Sequence, residues 1–263
     1  MRLPSTLSLA AALALAAVAL PASAAPVTEP VAWRHGDTEF AGYLVYDDQG
    51  ESKRPGLLMV PNWMGVTEEA LERARAVAGQ DYVVLVADLY GKDVRPADTD
   101  EALAAVRAVY AEPGTARARA NAALDALRAA ADRTPLDPDR LAAFGFCFGG
   151  GVVLELARSG ADIAAAVSFH GSLGTQAPAE PGTIKARLLV LNGADDASVP
   201  PERVAAFQDE MRAAGADWTL VNFGNAVHCF AEPAANRPPN CLYNEQAAAR
   251  AYGYFDLFLK EGF

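Results

Sequence analysis

The 263-residue sequence has few of the residues that bind metals or nucleic acids. It contains three histidines, three cysteines, and 22 Lys and Arg against 33 Asp and Glu, which gives a formal net charge of −11. A nucleic-acid-binding surface is normally basic, and the sequence has no cluster of Lys or Arg to form one. His228, Cys229 and Cys241 lack the spacing of a zinc site. We therefore expect no nucleic-acid partner, no metal and no organic cofactor.

Long apolar runs are also scarce, and the one present lies near Met1. Residues 7–20 are rich in Ala and Leu, follow Arg2, and precede the small residues Ala22-Ser23-Ala24. This layout is typical of a signal peptide, and the run is shorter than the roughly 20 residues of a membrane-spanning helix. We expect a signal peptide over residues 1–24, a single domain over residues 25–263, and a periplasmic or secreted protein that is free of the membrane after cleavage.

Three cysteines in an exported protein leave at least one without an intrachain partner. Cys229 and Cys241 flank a loop rich in Pro and Asn. A disulfide across that loop would leave Cys147 as the free thiol.

Apolar segments alternate with segments of helical periodicity along most of the chain. Residues 31–46 alternate apolar and polar side chains around Gly36-Asp37, which predicts a hairpin at a sheet edge. The later apolar segments predict a mostly parallel central sheet with helices on both faces, an α/β fold. The predicted strands are residues 56–60, 82–89, 141–146, 163–169, 187–191 and 218–223, and the predicted helices are residues 68–79, 98–110, 115–131, 149–158, 201–214 and 245–260.

Residues 145–149 read Gly-Phe-Cys-Phe-Gly between a predicted strand and a predicted helix. This is the layout of a nucleophile elbow, with Cys147 in the position of the more common serine. The flanking glycines permit a sharp, strained turn. The helix N-terminus favours a thiolate, and the N–H of Phe148 can bind an oxyanion. The alternative is a glycine-rich turn around a structural cysteine.

An elbow nucleophile requires an acid and then a histidine later in the chain, each after a strand. Asp195 and Asp196 follow one predicted strand, and His228 follows the next. An imidazole can take the thiol proton, and a carboxylate fixes its tautomer. Either Asp196 or Asp195 could be that acid; if it is Asp195, Asp196 would cap the next helix. His170 borders the same sheet edge but precedes the acid, and His35 lies in the hairpin, so both are weaker candidates for the base.

Together these segments resemble the dienelactone hydrolase family, a cysteine-dependent branch of the α/β-hydrolases, over most of the chain after residue 24. The matching pieces are the elbow, residues 193–200, which resemble the family's G-x-x-D-x-x-V-P, His228 followed by Phe230, and residues 88–90. The register of the second piece selects Asp196. The resemblance implies an α/β-hydrolase fold and a hydrolase that cleaves a small ester or lactone through Cys147, His228 and Asp196, with an acyl-enzyme intermediate.

The resemblance also implies a second oxyanion donor, the N–H of Trp63, and places Tyr90 near the pocket. Two residues depart from the family pattern. Asn62 stands where the dienelactone enzyme has a glutamate that holds the resting thiol, so activation would rest on His228 and the helix dipole. Glu232 stands where that enzyme has an arginine for the substrate carboxylate, so we expect a neutral or cationic ester, lactone or thioester.

Two other functions remain compatible with the sequence. The fold could serve as a binding protein whose thiol activation is lost through Asn62. It could also carry an acyl transferase or a thioesterase, because other acceptors reach an acyl-enzyme by the same route as water.

Overall fold

The structure, a computed structural model, describes residues 26–49 and 52–263; the predicted signal peptide lies outside them. The alternating N-terminal segment forms the antiparallel strands β1 (Val27–His35) and β2 (Thr38–Tyr46). Their turn contains Gly36 with φ at 56°, a conformation that glycine adopts without strain. The predicted hairpin is therefore confirmed, and β1 is the edge strand.

Six further strands complete the central sheet. The strand order is β1-β2-β4-β3-β5-β6-β7-β8. β2 pairs antiparallel with β4, and the pairs from β4 to β8 are parallel. The prediction of a mostly parallel sheet with a hairpin at its edge is confirmed. The six strands are β3 (Arg54–Val60), β4 (Val83–Val86), β5 (Leu136–Phe146), β6 (Ala165–Phe169), β7 (Arg187–Gly193) and β8 (Trp218–Phe223).

Helices cover both faces of the sheet, as the apolar strands require. Leu57 and Met59 of β3 belong to the apolar cluster that contains α1 and α6 residues, whereas Leu58 and Val60 belong to the opposite cluster with α2 to α5. This division follows the two-residue period of a strand. The helices are α1 (Glu68–Ala78), α2 (Thr99–Ala111), α3 (Thr115–Ala129), α4 (Phe148–Arg158), α5 (Pro201–Ala214) and α6 (Glu245–Gly262).

Aromatic packing stabilises the strands that end at the elbow. The Phe144 ring lies 5.0 Å from that of Phe255 on α6, and the Phe146 ring stacks 4.7 Å from that of Phe169. The rings of the strand residues Phe144, Phe146 and Phe169 are at most 1% exposed, and burial of each contributes about 2–3 kcal/mol to the stability of the fold. The carboxyl ends of β5 and β6 are thus fixed by packing beneath the site.

A small hairpin after β8 is absent from the sequence prediction. It consists of β9 (Asn236–Arg237) and β10 (Cys241–Leu242), each too short to show a periodic pattern. Cys229 and Cys241 form a disulfide that closes this segment, which confirms the pairing considered from the sequence and leaves Cys147 free. Within residues 26–49 and 52–263, no helix combines the length and apolarity needed to cross a membrane.

Candidate active site

The elbow holds Cys147 at the tip of the turn between β5 and α4. Its φ is 52° and its ψ −117°, a strained conformation for a residue with a side chain. A Cβ on Gly145 would overlap the Gly149 backbone, and one on Gly149 would overlap the carbonyl oxygens of Val60 and Pro61. The two glycines are therefore required by close backbone approach on both sides of the thiol.

A continuous line of contacts joins the cysteine, a histidine and an aspartate. The Sγ atom of Cys147 lies 3.0 Å from Nε2 of His228, and Nδ1 of His228 lies 2.7 Å from Oδ2 of Asp196. Asp196 follows β7 and accepts a further bond from the N–H of Ser198 at 2.8 Å. Asp195 is exposed on the same loop. The structure thus brings together the three residues expected from the sequence and places Asp196, rather than Asp195, against the imidazole.

The surroundings of His228 favour its protonated form. Burial by itself lowers the pKa of His228, but the hydrogen bonds to Asp196 and Cys147, and the negative charges on both, raise it to about 10. The side chain of Asp196 is fully buried, so its charge acts on the imidazole with little screening by solvent. The contacts with Asp196 and Cys147 therefore favour the imidazolium form of His228 at neutral pH.

His170 occupies a different place from the one a base requires. It is 1% exposed, and neither ring nitrogen has a hydrogen-bond partner among the described residues. Its ring packs edge-on to that of His228, with the ring centres 5.2 Å apart. Burial, together with the positive charges of His228 and Arg73, lowers the pKa of His170 well below its ordinary value. His170 is therefore a neutral packing partner of His228, and His35 is exposed in the hairpin.

The loop after β3 carries the second expected oxyanion donor. The N–H groups of Trp63 and Phe148 make no hydrogen bond to any residue that the structure describes. The carbonyl of Trp63 accepts a bond from the hydroxyl of Tyr90 at 2.8 Å. Burial raises the pKa of Tyr90, so this hydroxyl stays protonated. The Tyr90 ring also stacks on the Phe148 ring, with the ring centres 5.5 Å apart. Tyr90 therefore contacts both residues whose N–H groups are the expected oxyanion donors.

Glu232, which the sequence places where the dienelactone enzyme has an arginine, is paired inside the protein. It is 7% exposed, accepts a bond from Nδ2 of Asn62 at 2.5 Å, and lies 3.7 Å from the guanidinium of Arg73. Burial raises the pKa of Glu232, while Arg73 and Asn62 oppose that rise. Glu232 is therefore a paired side chain in the wall of the cleft that also contains Cys147.

A cleft of about 550 Å³ contains the reactive groups. Asn62, Trp63, Cys147 and His228 line it, and residues of the disulfide-closed segment form another part of its wall. Arg237 of that segment lies over the Trp63 ring, 5.1 Å from its centre. A second cavity, of about 380 Å³ between the α2–α3 turn and the loop after β6, contains none of the predicted site residues. Among the described residues, no group of three or more His, Cys, Asp or Glu is arranged to hold a metal ion.

Two residues near the site, Arg73 and Arg237, are missing from the sequence prediction. Arg73 lies on α1 beside the buried residues Ala70 and Ala74. A cation in such a position requires a buried acidic partner, and this was the signal from which the sequence could have predicted one. Arg237 lies in the two-residue strand β9, which is too short to show periodicity, so the sequence held no signal for its contact with Trp63.

Comparison with known proteins finds the same family by sequence and by structure. Residues 40–263 match the sequence profile of the Dienelactone hydrolase family. Two solved structures superpose with a TM-score of 0.85 and cover 91% of this chain and 100% of their own. One is m3DLH, 37% identical, and the other is the dienelactone hydrolase-like promiscuous phosphotriesterase P91 from metagenomic libraries, 36% identical. An Escherichia coli K12 protein provisionally named carboxymethylenebutenolidase is 25% identical over 229 residues, 79% of this chain and 84% of that protein.

Proposed function

Since the chain belongs to the dienelactone hydrolase family of ester and lactone hydrolases, we propose that it cleaves a small ester or lactone through a Cys147-His228-Asp196 triad. The observation that carries the proposal is the contact line from Sγ to Nε2 at 3.0 Å and from Nδ1 to the carboxylate at 2.7 Å. These are the distances over which a proton moves between a nucleophile and its base.

The reaction begins with attack of the Cys147 thiolate on the carbonyl carbon. Negative charge moves to the carbonyl oxygen, where the N–H groups of Trp63 and Phe148 stabilise it. The tetrahedral intermediate expels the alcohol, which takes the Nε2 proton of His228, and a thioester remains on Cys147. Neutral His228 then removes a proton from water, the hydroxide attacks the thioester, and the thiolate leaves as the carboxylic acid is released.

Asp196 acts on the reaction through His228. Its carboxylate accepts a hydrogen bond from the Nδ1–H group of His228, which leaves Nε2 directed at the sulfur, and its charge stabilises the imidazolium. Because Asp196 is fully buried and fixed by the Ser198 N–H, little reorganisation is needed during turnover.

The test measures p-nitrophenolate release from short-chain p-nitrophenyl esters and ring opening of small lactones. We expect turnover in the parent, and its loss in Cys147→Ala and His228→Ala. His35→Ala removes an exposed, remote imidazole and serves as the matched control that retains turnover. Intact-mass analysis of the quenched parent is expected to show one acyl group on Cys147. Unchanged turnover in Cys147→Ala contradicts the proposal, and absence of turnover with every ester and lactone favours a binding protein.

A second candidate reaction is phosphotriester cleavage, because this chain is 36% identical to a protein described as a promiscuous phosphotriesterase. The Cys147 thiolate would attack phosphorus, the oxyanion donors would stabilise the phosphoryl oxygen, and the aryloxide would leave. Water would then release the phosphodiester from sulfur. Diethyl p-nitrophenyl phosphate tests this: sustained release of p-nitrophenolate supports the reaction, and a single turnover followed by inactivation restricts the protein to esters and lactones.

We also propose that the protein acts in the periplasm or outside the cell. Residues 1–24 have the composition of a signal peptide. The Cys229–Cys241 disulfide supports the same location, because oxidising compartments sustain such bonds. Expression of the full sequence in a bacterium, with fractionation and N-terminal sequencing, is expected to yield a periplasmic or secreted product that begins at Ala25. Retention of the uncleaved chain in the cytoplasm contradicts this proposal.

A further inference from the structure

A buried polar cluster lies beside the oxyanion loop, outside the Cys-His-Asp line. Its centre is the carboxylate of Glu232. One oxygen lies 2.5 Å from Nδ2 of Asn62 and 3.7 Å from the Arg73 guanidinium, and the other lies 3.7 Å from Nε2 of His170. The side chains of Arg73 and Glu232 are 11% and 9% exposed. A charge this deeply buried is costly unless it is paired, and Arg73 supplies the pairing.

Asn62 connects this cluster to the loop that carries the Trp63 N–H. Its Nδ2 donates to Glu232, while its Oδ1 accepts the N–H of Met64 at 3.0 Å. Its backbone carbonyl accepts the N–H of Gly65 at 2.9 Å, which closes the turn. Both ends of the Asn62 amide are thus used, and Trp63 lies in the chain between Asn62 and Met64, which are joined by one of these bonds.

Glu232 itself is held on a rigid segment. It lies three residues after Cys229, its N–H donates to the Cys229 carbonyl at 2.9 Å, and the disulfide closes the segment that contains it. The other side of the cluster is Arg73, whose guanidinium lies 4.4 Å from the centre of the Phe146 ring. The carboxylate therefore has fixed neighbours on both sides, and rotation of the Asn62 amide would break its bond to Glu232.

We propose that Glu232 is a positioning residue, which acts through Asn62 to hold the Trp63 N–H in the place where the oxyanion forms. The inference rests on the proposed function. Oxyanion stabilisation requires donors that are already oriented before the charge develops, and a small displacement of one donor is costly in rate. The carboxylate takes no part in proton transfer. Its negative charge is balanced by Arg73 and its hydrogen-bonding capacity is directed at Asn62.

The proposal is tested by exchanging the acid and the amide. Asn62→Asp places two carboxylates against each other, and we expect kcat to fall about 10- to 100-fold while KM changes less than about threefold. Adding Glu232→Gln restores the pairing of one donor with one acceptor: the amide at position 232 now donates, and the carboxylate at position 62 accepts. The carboxylate at position 62 can also still accept the Met64 N–H. The double variant is therefore expected to recover kcat to within about fivefold of the parent.

Alkylation of Cys147 by iodoacetamide separates positioning from effects on the thiol. This reaction needs the thiolate but no oxyanion donor, so its rate and pH profile are expected to stay within about twofold of the parent in both variants. Glu68→Gln removes an exposed carboxylate from α1 that pairs with Arg75, and it is the matched control with parental kinetics.

Three results would overturn the inference: a kcat within threefold of the parent in Asn62→Asp, a folded double variant without recovery, or alkylation slowed as much as turnover. If Asn62→Asp fails to fold, the double variant alone decides, because the proposal requires it to be folded and active. Failure of the proposed function is distinguishable, since it appears as retained turnover in Cys147→Ala, whatever the two variants do.

Discussion

Replacing Asp196 with asparagine removes one charge and keeps the shape of the side chain. The pKa of His228, raised from 6.5 to about 10, corresponds to roughly 5 kcal/mol of net stabilisation of the imidazolium. The bonds to Asp196 and Cys147 both contribute to it. If Asp196 supplies about half, Asp196→Asn lowers the pKa of His228 by roughly 1.5 to 2. We also expect kcat to fall by about 10² to 10⁴, because the amide no longer selects the required tautomer.

The assay is a titration of the imidazole signals by NMR, for which the presence of only three histidines is an advantage. In the parent, the His228 signal is expected to remain that of an imidazolium until the pH approaches 10. In Asp196→Asn the transition moves toward neutral pH. Asp195→Asn is the matched control, because this neighbouring carboxylate is exposed and makes no bond to His228. A titration of His228 that is identical in Asp196→Asn and in the parent would refute the assignment of Asp196.

Three further predictions concern stability. Gly149→Ala forces a Cβ into the carbonyl at the end of β3, so we expect a loss of at least about 3 kcal/mol in chemical denaturation, or no soluble protein. Replacing Cys229 and Cys241 with serine removes the disulfide between two residues 12 positions apart. We expect the free energy of unfolding to fall by about 3 kcal/mol, seen in calorimetry as a Tm lower by roughly 6–12 °C. Because folding raises the pKa of His228, its contribution to stability is complete below pH 6.5 and is lost as the pH rises toward 10, so His228→Gln should flatten the decline of the denaturation midpoint over that range.

The fold was predictable because its signals are local. The run from Leu141 to Phe146 is apolar at every position, as a strand covered on both faces requires, and β5 ends where that run ends. Helix boundaries also agree closely: α5 spans Pro201–Ala214, as predicted. The structure extends β5 back to Leu136, because Leu136 and Asp137 pair with Arg54 and Pro55 of β3 before a register shift that skips residues 138–140. The two-residue strands of the β9–β10 hairpin carry no periodic signal.

The sequence by itself determined the elbow, the order of nucleophile, acid and histidine, and the sheet edge at which they would meet, because each depends on a residue type next to a strand end. The tertiary structure alone decided that His170 is buried without a hydrogen bond to any described residue, and it supplied the contact with His228 for Asp196, which the family register had selected. It also paired Glu232 with Asn62 and Arg73, residues more than 150 positions away in the chain. Such contacts join segments whose separate patterns say nothing about each other, and whether a buried charge repels or holds its neighbour depends on where its partner lies.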